Sequence, residues 1–155
     1  MNRVDPLGLW TLQIGGTVTF PGPFGTEGTF FGGGALDGTG GVATYAGGGF
    51  GYGAGVSLSA GATVSDAVNV TNLGGAFVNT NIGAGAGGSI TVDTFVGRND
   101  NGFVTGLGAS VGFSFGGSLF SGPTNTVIAP LTRSPNAVDS PSDSPPDSSG
   151  DCLLY

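Results

Sequence analysis

Residues 42–65 read Val-Ala-Thr-Tyr-Ala-Gly-Gly-Gly-Phe-Gly-Tyr-Gly-Ala-Gly-Val-Ser-Leu-Ser-Ala-Gly-Ala-Thr-Val-Ser. The even positions carry Val42, Phe50, Tyr52, Val56, Leu58 and Val64. The odd positions are nearly all Gly or Ser, with Ala43, Tyr45 and Thr63 as the exceptions. A period of two is the rhythm of a strand, whose side chains point alternately to opposite faces. Helix is disfavoured independently, because glycine is a poor helix former.

The same rhythm recurs on either side. In 10–20, Trp10, Leu12, Ile14, Val18 and Phe20 share one face, opposite Thr11, Gln13, Thr17 and Thr19. In 78–92 the apolar set is Val78, Ile82, Ala84, Ala86, Ile90 and Val92. In 103–119 it moves to odd positions: Phe103, Leu107, Val111, Phe113, Phe115 and Leu119. Turn signals separate the runs. Leu36-Asp37-Gly38-Thr39-Gly40 and Arg98-Asn99-Asp100-Asn101-Gly102 read as hairpin turns. Pro21-Gly22-Pro23 ends the first run, and Ser65 to Gly75 is a longer polar connection.

The fold class expected is therefore all-β, an antiparallel meander closing into a barrel or a sandwich. A 24-residue strand would extend about 80 Å at ~3.3 Å per residue, too far for a small domain. Gly-Gly pairs such as Gly47-Gly48 and Gly87-Gly88 are the natural bends. About five runs then become roughly seven to ten strands.

Composition removes many chemistries. Only 8% of the residues are charged, and the chain has no histidine and no lysine, against about a quarter charged in an ordinary soluble domain. Gly47-Gly48-Gly49-Phe50-Gly51-Tyr52-Gly53 lacks the lysine of a phosphate-binding loop. Few cations exist to neutralise phosphates, so nucleic acid is not an expected partner. Histidine-dependent triads and most transition-metal sites are excluded. Glu27, Asp66 and Asp93 have no partner spacing that suggests catalysis or calcium binding, and Asp37 and Asp100 sit in turns where Asp satisfies local backbone. No catalytic residue, cofactor or metal is expected, and the sequence leans away from an enzyme.

Each glycine in a strand costs roughly 0.5–1 kcal/mol relative to alanine. Something offsets that cost: a Gly/Ser face pressed against another backbone, or support from a membrane or neighbouring subunits. Two orientations are open. Phe, Val, Leu and Ile can fill a core while the Gly/Ser/Thr face meets water. Alternatively the apolar face meets lipid and the small polar face lines a lumen, with Phe50, Tyr52, Phe113 and Phe115 as candidate membrane-facing aromatics. The scarcity of charge favours lipid. Strand count opposes it, because fewer than eight strands cannot close a single-chain membrane barrel, so several chains would each contribute hairpins.

Three regions differ in composition: a leader at 1–9, the Gly-rich domain at 10–131, and a tail at 132–155 rich in Ser, Pro and Asp. The tail is expected to be disordered, and it holds the single cysteine, Cys152. No apolar segment precedes Trp10 as a secretory signal would require.

The leader, Asn2-Arg3-Val4-Asp5-Pro6-Leu7-Gly8-Leu9-Trp10, resembles the end of the RHS repeat-associated core of polymorphic toxins. That core closes on an Asp-Pro-x-Gly-Leu motif, here Asp5, Pro6, Gly8 and Leu9. The resemblance implies self-cleavage after the motif's leucine, between Leu9 and Trp10, releasing a variable toxin tip from a β-cage. It covers about ten residues, and the core's catalytic aspartates would lie upstream, so Asp5 belongs to the cleaved strand. The expected function is that of a C-terminal toxin or effector domain, acting by membrane insertion or permeabilisation as a β-structure. A soluble, non-catalytic β domain that binds a protein partner is the alternative. The resemblance also implies a cognate immunity protein and the RHS core shell as partners, alongside a target membrane or self-oligomer. Secretion or delivery into a target cell, with membrane association, follows from the same reading.

Overall fold

The structure, a computed structural model, describes residues 10–99 and 102–132. The leader motif Asp5, Pro6, Gly8 and Leu9, the turn residue Asp100 and the tail expected to be disordered lie outside them. Five hydrogen-bonded ladders run through the chain: β1 (Thr11–Pro21), β2 (Thr26–Asp37), β3 (Val42–Ser65), β4 (Gly75–Asn99) and β5 (Gly102–Thr132).

The three long ladders each reverse midway. β1 and β2 form an antiparallel hairpin, from Thr11↔Asp37 to Pro21↔Glu27. The first arm of β3 pairs with β2, from Leu36↔Val42 to Thr26↔Tyr52. Its second arm pairs with β1, from Thr19↔Ser57 to Thr11↔Ser65. One strand can be antiparallel to both members of a hairpin only by turning back on itself. The turn is at Gly55, whose φ of +122° is open to glycine and strained for other residues. β5 follows β3 through the same reversal, pairing Ala54 with Leu119 and Val56 with Phe115. β4 follows β5, with Gly87 at φ +98° in its bend.

The last seam is between the arms of β4. Asn81 Nδ2 donates to Asp93, and Thr94 Oγ1 donates to the Thr80 carbonyl at 3.4 Å. The product is an antiparallel, closed, eight-stranded barrel. Closure leaves no unpaired edge. It also answers the strand-count objection, because one chain supplies all eight strands. Of the two glycine pairs expected to bend, Gly87-Gly88 does so. Gly47-Gly48 stays in straight pairing with Thr126 and Asn125, since its neighbours on both sides continue the ladder.

The barrel has two unlike ends. Reversals at 22–25, Gly55, Gly87 and between Phe115 and Ser118 gather at one, the turn end. The 38–41 turn, the 66–74 connection and both described chain ends lie at the other, the mouth. The 66–74 connection is less polar in its packing than its sequence suggests. Ala67, Val70 and Leu73 are buried there against Ala35, Ala43, Phe77 and Val104, plugging the mouth with the molecule's one buried apolar cluster among the described residues.

Asp37 holds this plug. Its carboxylate accepts from Thr39 N at 2.9 Å, Thr39 Oγ1 at 2.6 Å, Gly41 N at 2.8 Å and Val70 N at 3.0 Å. Burial pushes the carboxyl upward, but the four donors outweigh it and hold Asp37 below its ordinary value of 3.8. A folded pKa below the unfolded one gives stability that is complete above the unfolded value and lost as pH falls through the folded one. Asp37→Ala is expected to cost about 2–4 kcal/mol, since hydrogen bonds to a charged group are worth about 1.5–3 kcal/mol each and are not additive. A urea titration at neutral pH checks it, and the deficit against wild type should shrink below pH 3.8.

Candidate functional site

The alternation read from sequence is resolved in one direction all round the ring. The apolar side chains of the alternating runs point out. Ile14 and Val18 of β1, Phe30 of β2, Leu58 and Val64 of β3, Ile82 and Ile90 of β4, and Leu107, Val111 and Leu119 of β5 are all exposed. The inward positions are Thr11, Gln13 and Thr19, then Glu27 and Thr29, Ser57 and Ser59, Asn81, Ser89 and Thr91, Ser110 and Ser114, and Thr124, all buried. The arrangement with Phe, Val, Leu and Ile filling a core is therefore not the one adopted. Eight strands enclose a space just wide enough for side chains; small polar residues occupy much of it, together with the buried Phe77 and Phe120 and the half-buried Phe31, Tyr45 and Phe95.

Glycine is what permits this curvature. A Cβ on inward-facing Gly49 would lie 2.0 Å from the Pro123 carbonyl oxygen, one on Gly51 2.3 Å from that of Ser121, and one on Gly112 2.0 Å from that of Leu58. On the inner surface of a tight cylinder the Cβ vectors converge, and bare α-carbons let neighbouring strands coil past one another. The glycine face pressed against backbone is the offset that the composition required.

The four aromatics singled out in sequence lie on the outer face at the turn end. Phe50, Tyr52, Phe113 and Phe115 are 69%, 79%, 68% and 84% exposed. Phe50 and Tyr52 stand on the first arm of β3, while Phe113 and Phe115 stand on the first arm of β5, across the barrel. Phe20 and Phe30 stack at 5.7 Å between ring centres and continue the collar. Phe24, in the β1–β2 turn, is fully exposed. Sequence reading missed Phe24, Phe20 and Phe30 as members, although Phe24 stands out as an apolar residue inside a Pro/Gly turn.

At the mouth, the Arg98 guanidinium lies 5.6 Å from the centre of the Phe103 ring. The Asp66 side chain accepts from Thr105 N at 2.6 Å and Thr105 Oγ1 at 2.8 Å. Trp10 is half-buried and its carbonyl accepts from Gly38 N at 3.2 Å. The other motif residues fall outside the described part of the chain.

Inside the barrel, the described acids stand without a base. Ser110 Oγ donates to Asp93 at 3.0 Å, alongside the Asn81 amide. Asp93 borders a cavity of about 90 Å³ that Gln13, Tyr45, Ser59, Thr63 and Ser110 also line. Nearer the turn end, Glu27 is fully buried beside Thr19. Its carboxylate occupies the space that a Cβ on Gly53 would need. No group of three potential metal ligands is found among the described residues. No described helix is long and apolar enough to cross a membrane, which does not bear on strands. Neither a family model, nor a curated protein, nor a solved structure matches the chain.

Proposed function

We propose that this chain is a membrane-inserting effector domain that enters a bilayer as a single eight-stranded barrel. The observation that carries the reading is the outward apolar face repeated on every strand around an interior lined mainly by Gly, Ser, Thr and Asn with a few aromatics among them. Water penalises such a surface. Monomeric soluble proteins rarely expose contiguous apolar patches above a few hundred Å², whereas here large apolar side chains are exposed on each of β1 to β5. Lipid-spanning barrels have this distribution, apolar outward and polar inward with aromatics at the interfaces. Strand length agrees: β1 has 11 residues and β2 has 12, against about 9–11 for a tilted strand crossing a bilayer. In lipid every backbone polar group must be satisfied internally, and a closed ring does that.

The effector role rests on the RHS-like leader, Asp5 to Trp10, which implies delivery of the domain into a target cell and a cognate immunity protein. Action through a wide pore gains no support, because the interior is narrow and the mouth is plugged by Val70 and Leu73. Insertion itself is the step that the surface favours.

Flotation of the full chain with phosphatidylcholine/phosphatidylglycerol vesicles tests the reading. The expected result is that the protein rises with the lipid, resists a urea wash and leaves entrapped carboxyfluorescein inside. A folded monomer that remains in the aqueous fraction overturns insertion and favours a soluble partner-binding domain. Dye release on insertion would point instead to chains joined in a wider ring.

A further inference from the structure

We infer that the barrel enters the bilayer with its turn end leading, and that the mouth stays on the side from which the chain arrived. The inference rests on the lipid-facing reading of the outer surface and adds a direction to it.

The two ends differ in what they would drag through hydrocarbon. The four reversals of the turn end lie within 20–26, 50–58, 84–90 and 113–120, and none of these segments contains Asp, Glu, Lys or Arg. Glu27, the nearest acid, is buried in the lumen. The β1–β2 turn is also poor in free backbone donors. Pro21 and Pro23 have no N–H, Gly22 N donates to the Thr26 carbonyl at 2.7 Å, and Thr26 Oγ1 donates to the Pro23 carbonyl at 2.7 Å. A turn whose polar groups are already paired or missing loses little on leaving water.

The mouth is the opposite case. It exposes Asp66 and Arg98 and carries the 66–74 connection. Both ends of the described chain leave there, with Gly38 N bonded to the Trp10 carbonyl and Val42 paired with Thr132. The chain continuing from those ends holds Arg3, Asp5, Arg133, Asp139, Asp143, Asp147 and Asp151. Mouth-first entry would move all of these charges across the core, where ionised groups are costly. Turn-first entry moves none of them.

The aromatic collar gives the leading end an affinity for the interface. Phe24 is fully exposed at the tip, held at φ +59°, and Phe50, Tyr52, Phe113 and Phe115 ring it. Aromatic side chains favour the headgroup boundary, so the collar meets the near interface first and settles in the far one.

Single-thiol labelling of the full chain tests this, in a Cys152→Ser background, with Pro23→Cys at the tip and Val68→Cys at the mouth. Protein is added outside preformed vesicles, which are floated and treated with a membrane-impermeant maleimide. Expected is full labelling of Val68→Cys and protection of Pro23→Cys until detergent is added. In detergent both thiols should react, confirming that each variant presents its cysteine. The reverse pattern, or equal labelling of both in floated vesicles, overturns the direction while leaving insertion standing. Failure to float overturns insertion, and the direction with it.

A rate measurement is independent of the thiols. Phe24→Asp, with a residue type that tolerates positive φ, should slow insertion at least tenfold, whereas Val68→Asp should stay within about twofold of wild type. Equal slowing by both substitutions overturns the direction.

Discussion

Val111→Arg is expected to weaken the bilayer-embedded fold by about 2–4 kcal/mol, the cost of arginine on the lipid face of a barrel near the midplane. At about 1.4 kcal/mol per factor of ten, this is roughly a 30- to 1,000-fold change in the folding equilibrium. Val111 is exposed on the outer face of β5, paired with Ala60 on one side and Ile90 on the other. Leu131→Arg, also on the outer face but at the mouth, should cost only about 0–1 kcal/mol, because the penalty falls towards the interface. In water the contrast would vanish, since exposed substitutions usually change stability by no more than about 0.5 kcal/mol. Urea-dependent folding into vesicles, read for both variants, checks the difference. Equal effects at positions 111 and 131 would mean that the belt does not face lipid.

The second large effect is inside the ring. Gly49→Val is expected to lose about 3 kcal/mol or more, at the upper end of overpacking costs. The new Cβ would sit 2.0 Å from the Pro123 carbonyl oxygen and 2.8 Å from the Thr124 α-carbon. Both obstacles are backbone, so no rotamer change relieves them, and the pairing of β3 with β5 has to open. Gly88→Ala should go the other way, gaining about 0.4–1 kcal/mol by reducing the freedom of the unfolded chain. Nothing lies within 4 Å of a Cβ at Gly88, and its φ is not positive. The two urea midpoints, measured in the same lipid or detergent, should lie on opposite sides of wild type. A neutral Gly49→Val would refute the claim that inward glycines are needed for curvature.

The all-β class and the membership of each face were legible because alternation is a local property. Leu58 between Ser57 and Ser59, or Phe113 between Gly112 and Ser114, announces a two-faced strand without any knowledge of neighbours. The turn at Asp37-Gly38 was legible for the same reason, since Asp37 binds backbone only two and four residues away as well as Val70. The reversal at Gly55 was not legible. Gly51, Gly53 and Gly55 look alike in sequence, and only the pairing of β3 with both arms of a hairpin selects the last. The plug was missed because Ala67, Val70 and Leu73 follow Ser65-Asp66 and are interleaved with Asn69, Thr71 and Asn72 in what reads as a polar loop. Their burial depends on an open mouth that exists only after the ring has closed. The aromatic collar was half-legible: its members are conspicuous, but their meeting at one end follows from how four reversals stack.

By itself the sequence determined that each extended segment has one apolar and one nearly bare side, that charge is almost absent between Trp10 and Leu131, and that neither histidine nor lysine is present. Only the tertiary structure decided which side faces out. A strand with period two is equally regular with either face inward, so no local signal distinguishes the two. The choice came from closing eight strands into a narrow ring, where convergent Cβ atoms favour Gly, Ser and Thr at most inward positions, with Phe31, Phe77, Phe95 and Phe120 fitted among them, and most of the Val, Leu, Ile and other Phe side chains stand outside.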